Sequence, residues 1–85
     1  MYEVKVSSGA QRDLGKLSHR QADGILDAVE GLSRTPRPRG AVKLGGTLYR
    51  IRLGRLRIIY SVSDRDQEVV VVRVAKRSES TNKDL

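Results

Sequence analysis

Apolar and polar residues alternate at the start of the chain, with Tyr2, Val4 and Val6 on one side and Glu3 and Lys5 on the other. A period of two predicts a half-buried strand over residues 2–6. The spacing then lengthens. Ala10, Leu14 and Leu17 recur at helical intervals, separated by Arg12, Asp13 and Lys16. Ser18 and Gln21 stand three apart, as a helix-opening capping box requires. Behind them Ala22, Ile25, Leu26, Val29 and Leu32 form an apolar stripe with i, i+3, i+4, i+7 spacing. Two helices joined by a very short turn near Leu17-Ser18 predict an antiparallel helical hairpin. Pro36 and Pro38 cannot continue the second helix, and residues 35–46 read as a surface connection.

Three further strands follow, over Thr47–Leu53, Arg55–Ser63 and Glu68–Lys76. Gly54 permits a tight reversal between the first two, and Asp64-Arg65-Asp66-Gln67 supplies turn chemistry before the third. The expected fold class is α+β: an N-terminal strand, a helical hairpin, then a three-stranded antiparallel sheet. The whole chain, 1–85, reads as a single domain with a polar, frayed tail over 78–85.

Alternation within the strands assigns two faces. Tyr49, Ile51 and Leu53 share one side of their strand, as do Leu56, Ile58, Tyr60 and Val62 of the next. Strict alternation puts Val70, Val72 and Val74 of the last strand in the same layer, and Lys76 with them. The helices must bury their stripe on this apolar face. Arg50, Arg52, Arg57, Arg73 and, if the strand continues, Arg77 are left on the other. Like charges on neighbouring strands destabilise a sheet, so such a face carries a cost that binding an anion would explain. Guanidinium groups stay charged and offer paired donors to phosphate.

Composition supports the same partner class. The formal charge is +7 over 85 residues. Basic residues outnumber acidic ones by seven to five in residues 1–40 and by ten to five in 41–85, so the excess lies in the second half. With no cysteine there is no disulfide, thiol nucleophile or cysteine-held metal. No metal-ligand cluster, Gly-rich phosphate loop or cofactor motif appears, and neither a metal nor a cofactor is expected. The opening MYEVKVSS lacks the apolar core of a signal peptide, and no apolar run has membrane-spanning length, so a soluble cytoplasmic protein is expected. The three aromatics, Tyr2, Tyr49 and Tyr60, all fall on the predicted core side. The basic face is therefore suited to phosphate and not to base stacking. His19, the single histidine, reads as a surface residue at a helix start.

The segment LYRIRLGRLRIIYSVSD, followed by VVVVRVAKR, resembles the RelE/ParE superfamily of type II toxin–antitoxin toxins, with the RelE-like branch favoured. Lys43-Leu44 resembles the Lys-Leu pair that often precedes this block. The resemblance covers nearly the whole chain and implies the order strand, helical hairpin, antiparallel sheet. It implies a ribosome-dependent endoribonuclease that cuts mRNA without a metal, by attack of the 2′-hydroxyl on the adjacent phosphate. Carried over by position, Arg57 and Arg77 are the catalytic arginines. Arg50 and Arg52 resemble the paired RNA-binding cations, and Lys43, Arg73, Lys76 and Lys83 are further RNA-binding candidates. The implied partners are mRNA, the ribosome and an acidic antitoxin that forms a hetero-oligomer with the toxin, with no membrane involved. The stretch after Arg77 has no tyrosine, where many RelE-like toxins carry one. Two other readings remain open: a ParE-like poison of DNA gyrase without nuclease chemistry, and a catalytically inactive basic binding module.

Overall fold

The computed structural model describes residues 1–76. In chain order it contains β1 (Glu3–Val6), α1 (Ser8–Gly15), α2 (His19–Gly31), β2 (Val42–Gly45), β3 (Leu48–Leu53), β4 (Leu56–Ser63) and β5 (Glu68–Lys76). The strands make one sheet in the order β1-β5-β4-β3-β2. The run β2 to β5 is antiparallel throughout, whereas β1 joins β5 in parallel, with Glu3 opposite Glu68 and Val6 opposite Val71. The α+β architecture anticipated from the sequence is present. The sheet gains β1 at one edge and β2 at the other. Residues 42–45, read above as part of a loop, become an edge strand because Val42 and Lys43 find ladder partners in Arg50 and Tyr49.

Local chemistry explains the helix starts. Ser7 caps α1, its Oγ accepting from the Ala10 N–H at 3.1 Å. Ser18 and Gln21 form the predicted capping box at α2: the Gln21 N–H donates to Ser18 Oγ at 3.1 Å, and the Ser18 N–H to Gln21 Oε1 at 3.2 Å. Ile25 and Val29 of α2 and Leu32, its C-cap, join Ala10 of α1 on the apolar sheet face, against Leu56, Ile58, Tyr60 and Val62 of β4. Between β3 and β4 the chain reverses in two residues, and Gly54 takes φ of 61°, a left-handed value that glycine adopts without strain.

Strand β5 departs from strict alternation. Ile59 faces Arg73 and Tyr60 faces Val71, which leaves Val72 as an extra residue on β5. One inserted residue reverses the phase of every side chain beyond it. The buried residues of β5 are therefore Val69, Val71 and Val74, while Val70 and Val72 are only half-buried. Of the predicted core row Val70, Val72 and Val74, Val74 alone is in the core.

The bulge lies where β1 ends. Val71 C=O still accepts from the Ser7 N–H at 2.9 Å. Beyond it α1 takes over the open edge of β5 with side chains. Ser7 Oγ donates to the Val72 carbonyl at 2.8 Å, and Asp13 Oδ2 accepts from the Val74 N–H at 2.9 Å. The edge groups that β1 does not reach are thus paired by a hydroxyl and a carboxylate, which a sheet edge otherwise exposes. No helix among the described residues is long and apolar enough to cross a membrane.

Candidate nucleic-acid interface

The outer face of the sheet, opposite the helices, is set by the ladder register. Arg50 pairs with Ile59, Arg52 with Arg57, and Arg57 in turn with Ala75. Arg50, Arg52 and Arg57 therefore share one face of two adjacent strands, as alternation predicted. The cost of the arrangement is concentrated at Arg52 and Arg57, which are directly opposite. Arg50 is half-buried, and its Nε is buried without a hydrogen-bond partner among the described residues. Buried polar atoms are normally paired, so the hydrogen bonding of Arg50 Nε is incomplete among the described residues.

A groove of about 440 Å³ opens beside these residues, lined by Arg39, Gly40, Val42, Arg50, Ile51 and Arg52. Sequence reasoning did not select Arg39. It lies in a segment with no periodicity, and only its place after two prolines hints that its backbone is held. The structure shows what holds it. Arg37 Nη2 donates to Asp64 Oδ2 at 2.6 Å and its Nε to the Tyr49 hydroxyl at 3.1 Å, with the guanidinium carbon 5.4 Å from the Tyr49 ring centroid. Tyr2 donates to the other oxygen of Asp64 at 2.5 Å. Tyr60, fully buried, donates to the Pro36 carbonyl at 2.8 Å, and its ring stacks on Tyr49 at 5.9 Å. The proline segment is thereby fastened across β3 and β4.

Electrostatics follow this network. Hydrogen bonds from Tyr2 and then Arg37 hold the Asp64 carboxyl below the ordinary carboxylate range. The same bond to Asp64 raises the Tyr2 phenol. The three tyrosines hold the segment in place, and none is on the outer face.

The remaining predicted residues separate. Lys43 stands opposite Tyr49, which places it on the helix-side row, away from Arg50 and Arg52. Lys76 stands opposite Leu56, on the same helix-side row, and is exposed at the end of β5. Arg73 faces Ile59 on the outer row, but its guanidinium turns to α1. Its Nε and Nη2 donate to Asp13 at 2.8 and 3.2 Å. Arg77 and Lys83 lie outside the described residues. Among the described residues no three metal-capable side chains come together.

Comparison with known proteins fits this arrangement. A family model described as the ParE toxin of type II toxin–antitoxin systems matches residues 4–81. The chain belongs to this family. No curated protein matches it. Among solved structures, the toxin is similar to a chain of the archaeal RelE–RelB complex from Pyrococcus horikoshii, with 32% identity and a TM-score of 0.84, over 92% of this chain and 97% of that one. It is similar to a chain of the toxin–antitoxin complex RelBE2 from Mycobacterium tuberculosis, with 31% identity and a TM-score of 0.80, over 89% and 98% of the two chains. The isolated RelE toxin of E. coli shares the fold at 24% identity, with a TM-score of 0.79, over 99% and 95%. The toxin thus belongs to the RelE/ParE superfamily and has a RelE-like structure, as the Tyr49-to-Tyr60 block implied.

Proposed function

We propose that the toxin is an endoribonuclease that cuts mRNA on the translating ribosome, with the whole chain acting as one domain. The observation that supports this best is the convergence of Arg50, Arg52 and Arg57 on one sheet face, beside a groove that Arg39 also lines. Arg39, Arg50 and Arg52 hold the RNA backbone. Arg57, with Arg77 as its partner in the same role, stabilises the charge that builds on the phosphate. In the reaction the 2′-hydroxyl oxygen bonds to the adjacent phosphorus, and the bond from phosphorus to the 5′-oxygen breaks. A 2′,3′-cyclic phosphate and a 5′-hydroxyl result, with the proton lost by the 2′-hydroxyl balanced by the one gained at the leaving oxygen. Fixed cations aimed at developing charge accelerate such a step by roughly 10²–10³ per group. An acidic antitoxin neutralises the toxin in a hetero-oligomer, by analogy with the RelE–RelB and RelBE2 complexes of its relatives, and the setting is the cytoplasm, where ribosomes are.

A second reading has its own support. The matching family model is a ParE model, and among the described residues no histidine or carboxylate lines the Arg50–Arg52 groove to carry a proton. In this reading the toxin poisons DNA gyrase by binding and leaves RNA intact.

Inducible expression of the full chain, with mRNA ends mapped on translating ribosomes, tests both. Codon-phased cuts that vanish in Arg57→Ala and in Arg77→Ala support the nuclease. Growth arrest with intact mRNA and a DNA-damage response supports gyrase poisoning and sinks the first reading. Absence of any arrest sinks both and leaves an inactive binding module.

A further inference from the structure

A second basic cluster lies away from the groove, where α1 covers the edge of β5. A cleft of about 210 Å³ is lined there by Gly9, Arg12, Asp13, Lys16 and Arg73. We propose that this cleft is a second phosphate site, which holds a backbone phosphate of bound RNA outside the arginine face; the RNA half of the proposal rests on the function proposed above.

The charges in the cleft are arranged to face outward. Its one carboxylate, Asp13, is already neutralised. Arg73 Nε and Nη2 donate to its two oxygens at 2.8 and 3.2 Å, and the Val74 N–H donates to Oδ2 at 2.9 Å. The Asp13 side chain is only 11% exposed, whereas that of Arg73 is 60% exposed. The negative partner is thus sunk against the strand while the cation meets solvent.

Arg12 and Lys16 add two more cations four residues apart, the spacing that brings side chains together on one helix face. Like charges at this spacing weaken a helix. Neither makes a salt bridge among the described residues. Three cations therefore share the cleft with a single spent carboxylate.

The floor of the cleft is kept bare. A Cβ at Gly9 would stand 3.5 Å from Arg73 Cδ and 3.7 Å from the Val72 carbonyl. These are ordinary contact distances that an alanine would accept, whereas a long side chain would extend into the space beside the guanidinium.

The position of the cleft favours RNA over a free anion. On the outer face Arg73 lies in the cross-strand row Arg73–Ile59–Arg50. Two strand spacings separate Arg73 from Arg50, about 10 Å at about 4.8 Å per strand. The Arg73 side chain carries on from this row around the β5 edge to Asp13 of α1, so an RNA strand that leaves the outer face at this edge meets the cleft.

The test uses the full chain, its Arg12→Gln/Lys16→Gln variant and an Arg50→Gln/Arg52→Gln variant, each checked for an unchanged melt. In one arm, ¹⁵N-labelled protein is titrated with inorganic phosphate. Saturable amide shifts at Gly9, Lys16 and Arg73, lost in Arg12→Gln/Lys16→Gln and kept in Arg50→Gln/Arg52→Gln, are the expected result. In the other arm, a 2′-O-methyl RNA 12-mer, which cannot be cut, is bound over a range of salt. Loss of the one phosphate held in the cleft is expected to reduce the log–log salt slope of Arg12→Gln/Lys16→Gln by about 0.7. Absence of the amide shifts together with a wild-type slope overturns the site. Phosphate shifts with an unchanged RNA slope overturn its assignment to RNA. If the wild-type chain does not bind the 12-mer at all while the shifts persist, the RNA half of this proposal fails and the anion site stands, whereas the nuclease reading is decided by the mapped mRNA ends.

Discussion

Arg52 of β3 and Arg57 of β4 are direct cross-strand partners on the outer face of the sheet, two residues of like charge at one rung of the ladder. Opposed like charges cost a few tenths to about 1 kcal/mol in a sheet. Replacing Arg52 by threonine removes the repulsion and adds a residue that favours strands. Arg52→Thr is therefore expected to melt slightly above the wild type while its toxicity falls. Parallel thermal melts and growth assays check this, and a variant that loses stability and toxicity together would count against a functional origin of the pair.

Asp13 gives the fold a dependence on pH. Its carboxyl is held below the ordinary value of 3.8, chiefly by the Arg73 hydrogen bonds and also by the Val74 N–H, against an opposing effect of burial. A depressed folded-state value means that the contribution is fully present above the ordinary value and is lost as pH falls through the folded one. Melting temperature measured from pH 6 to pH 2 is expected to drop more steeply in the wild type than in Asp13→Asn. Asp13→Ala, which leaves the Val74 N–H without its acceptor, is expected to cost about 1–3 kcal/mol at neutral pH.

The bulge at Val72 makes adjacent valines unequal. Val71 is fully buried, whereas Val72 is half-buried and supplies only its carbonyl to Ser7. Val71→Thr puts a hydroxyl into the core and should cost about 1–3 kcal/mol. Val72→Thr should stay within about 0.5 kcal/mol of the wild type. Urea unfolding of the two variants distinguishes this register from strict alternation, which predicts the reverse order.

The proline segment links stability to the groove. Tyr60→Phe removes the hydrogen bond to the Pro36 carbonyl and should cost about 0.5–1.5 kcal/mol. Arg37→Ala releases Asp64 and Tyr49 together and frees the backbone that presents Arg39. RNA affinity of Arg37→Ala is expected to fall although Arg37 itself does not line the groove. Arg39→Ala should weaken binding without any change in the melt, with a salt slope lower by about 0.7.

Much of this toxin was legible before the fold was known, and particular residues show why. The Ser18–Gln21 capping box and the Ile25–Val29–Leu32 stripe are local patterns that need no distant partner to be read. Arg50, Arg52 and Arg57 were assigned to one face because β3 and β4 keep a regular register from Leu48–Ser61 to Leu53–Leu56. In β5 the same reasoning failed at one residue. Nothing in the run Val69-Val70-Val71-Val72 marks which valine is the extra one, since all four have the same side chain.

The sequence by itself determined the order of elements, the basic face of β3 and β4, and the family to which the chain belongs. Each depends on short-range periodicity or on a contiguous block of residues. Only the tertiary structure decided the partners of Arg37 and Arg73 and the place of Arg39 beside the groove. Arg37 meets Asp64 across 27 positions, and Arg73 meets Asp13 across 60. A charge 60 residues away leaves no periodic trace. The meeting of β1, α1 and β5 at one sheet edge turned Arg73 from one of a row of arginines into half of an ion pair.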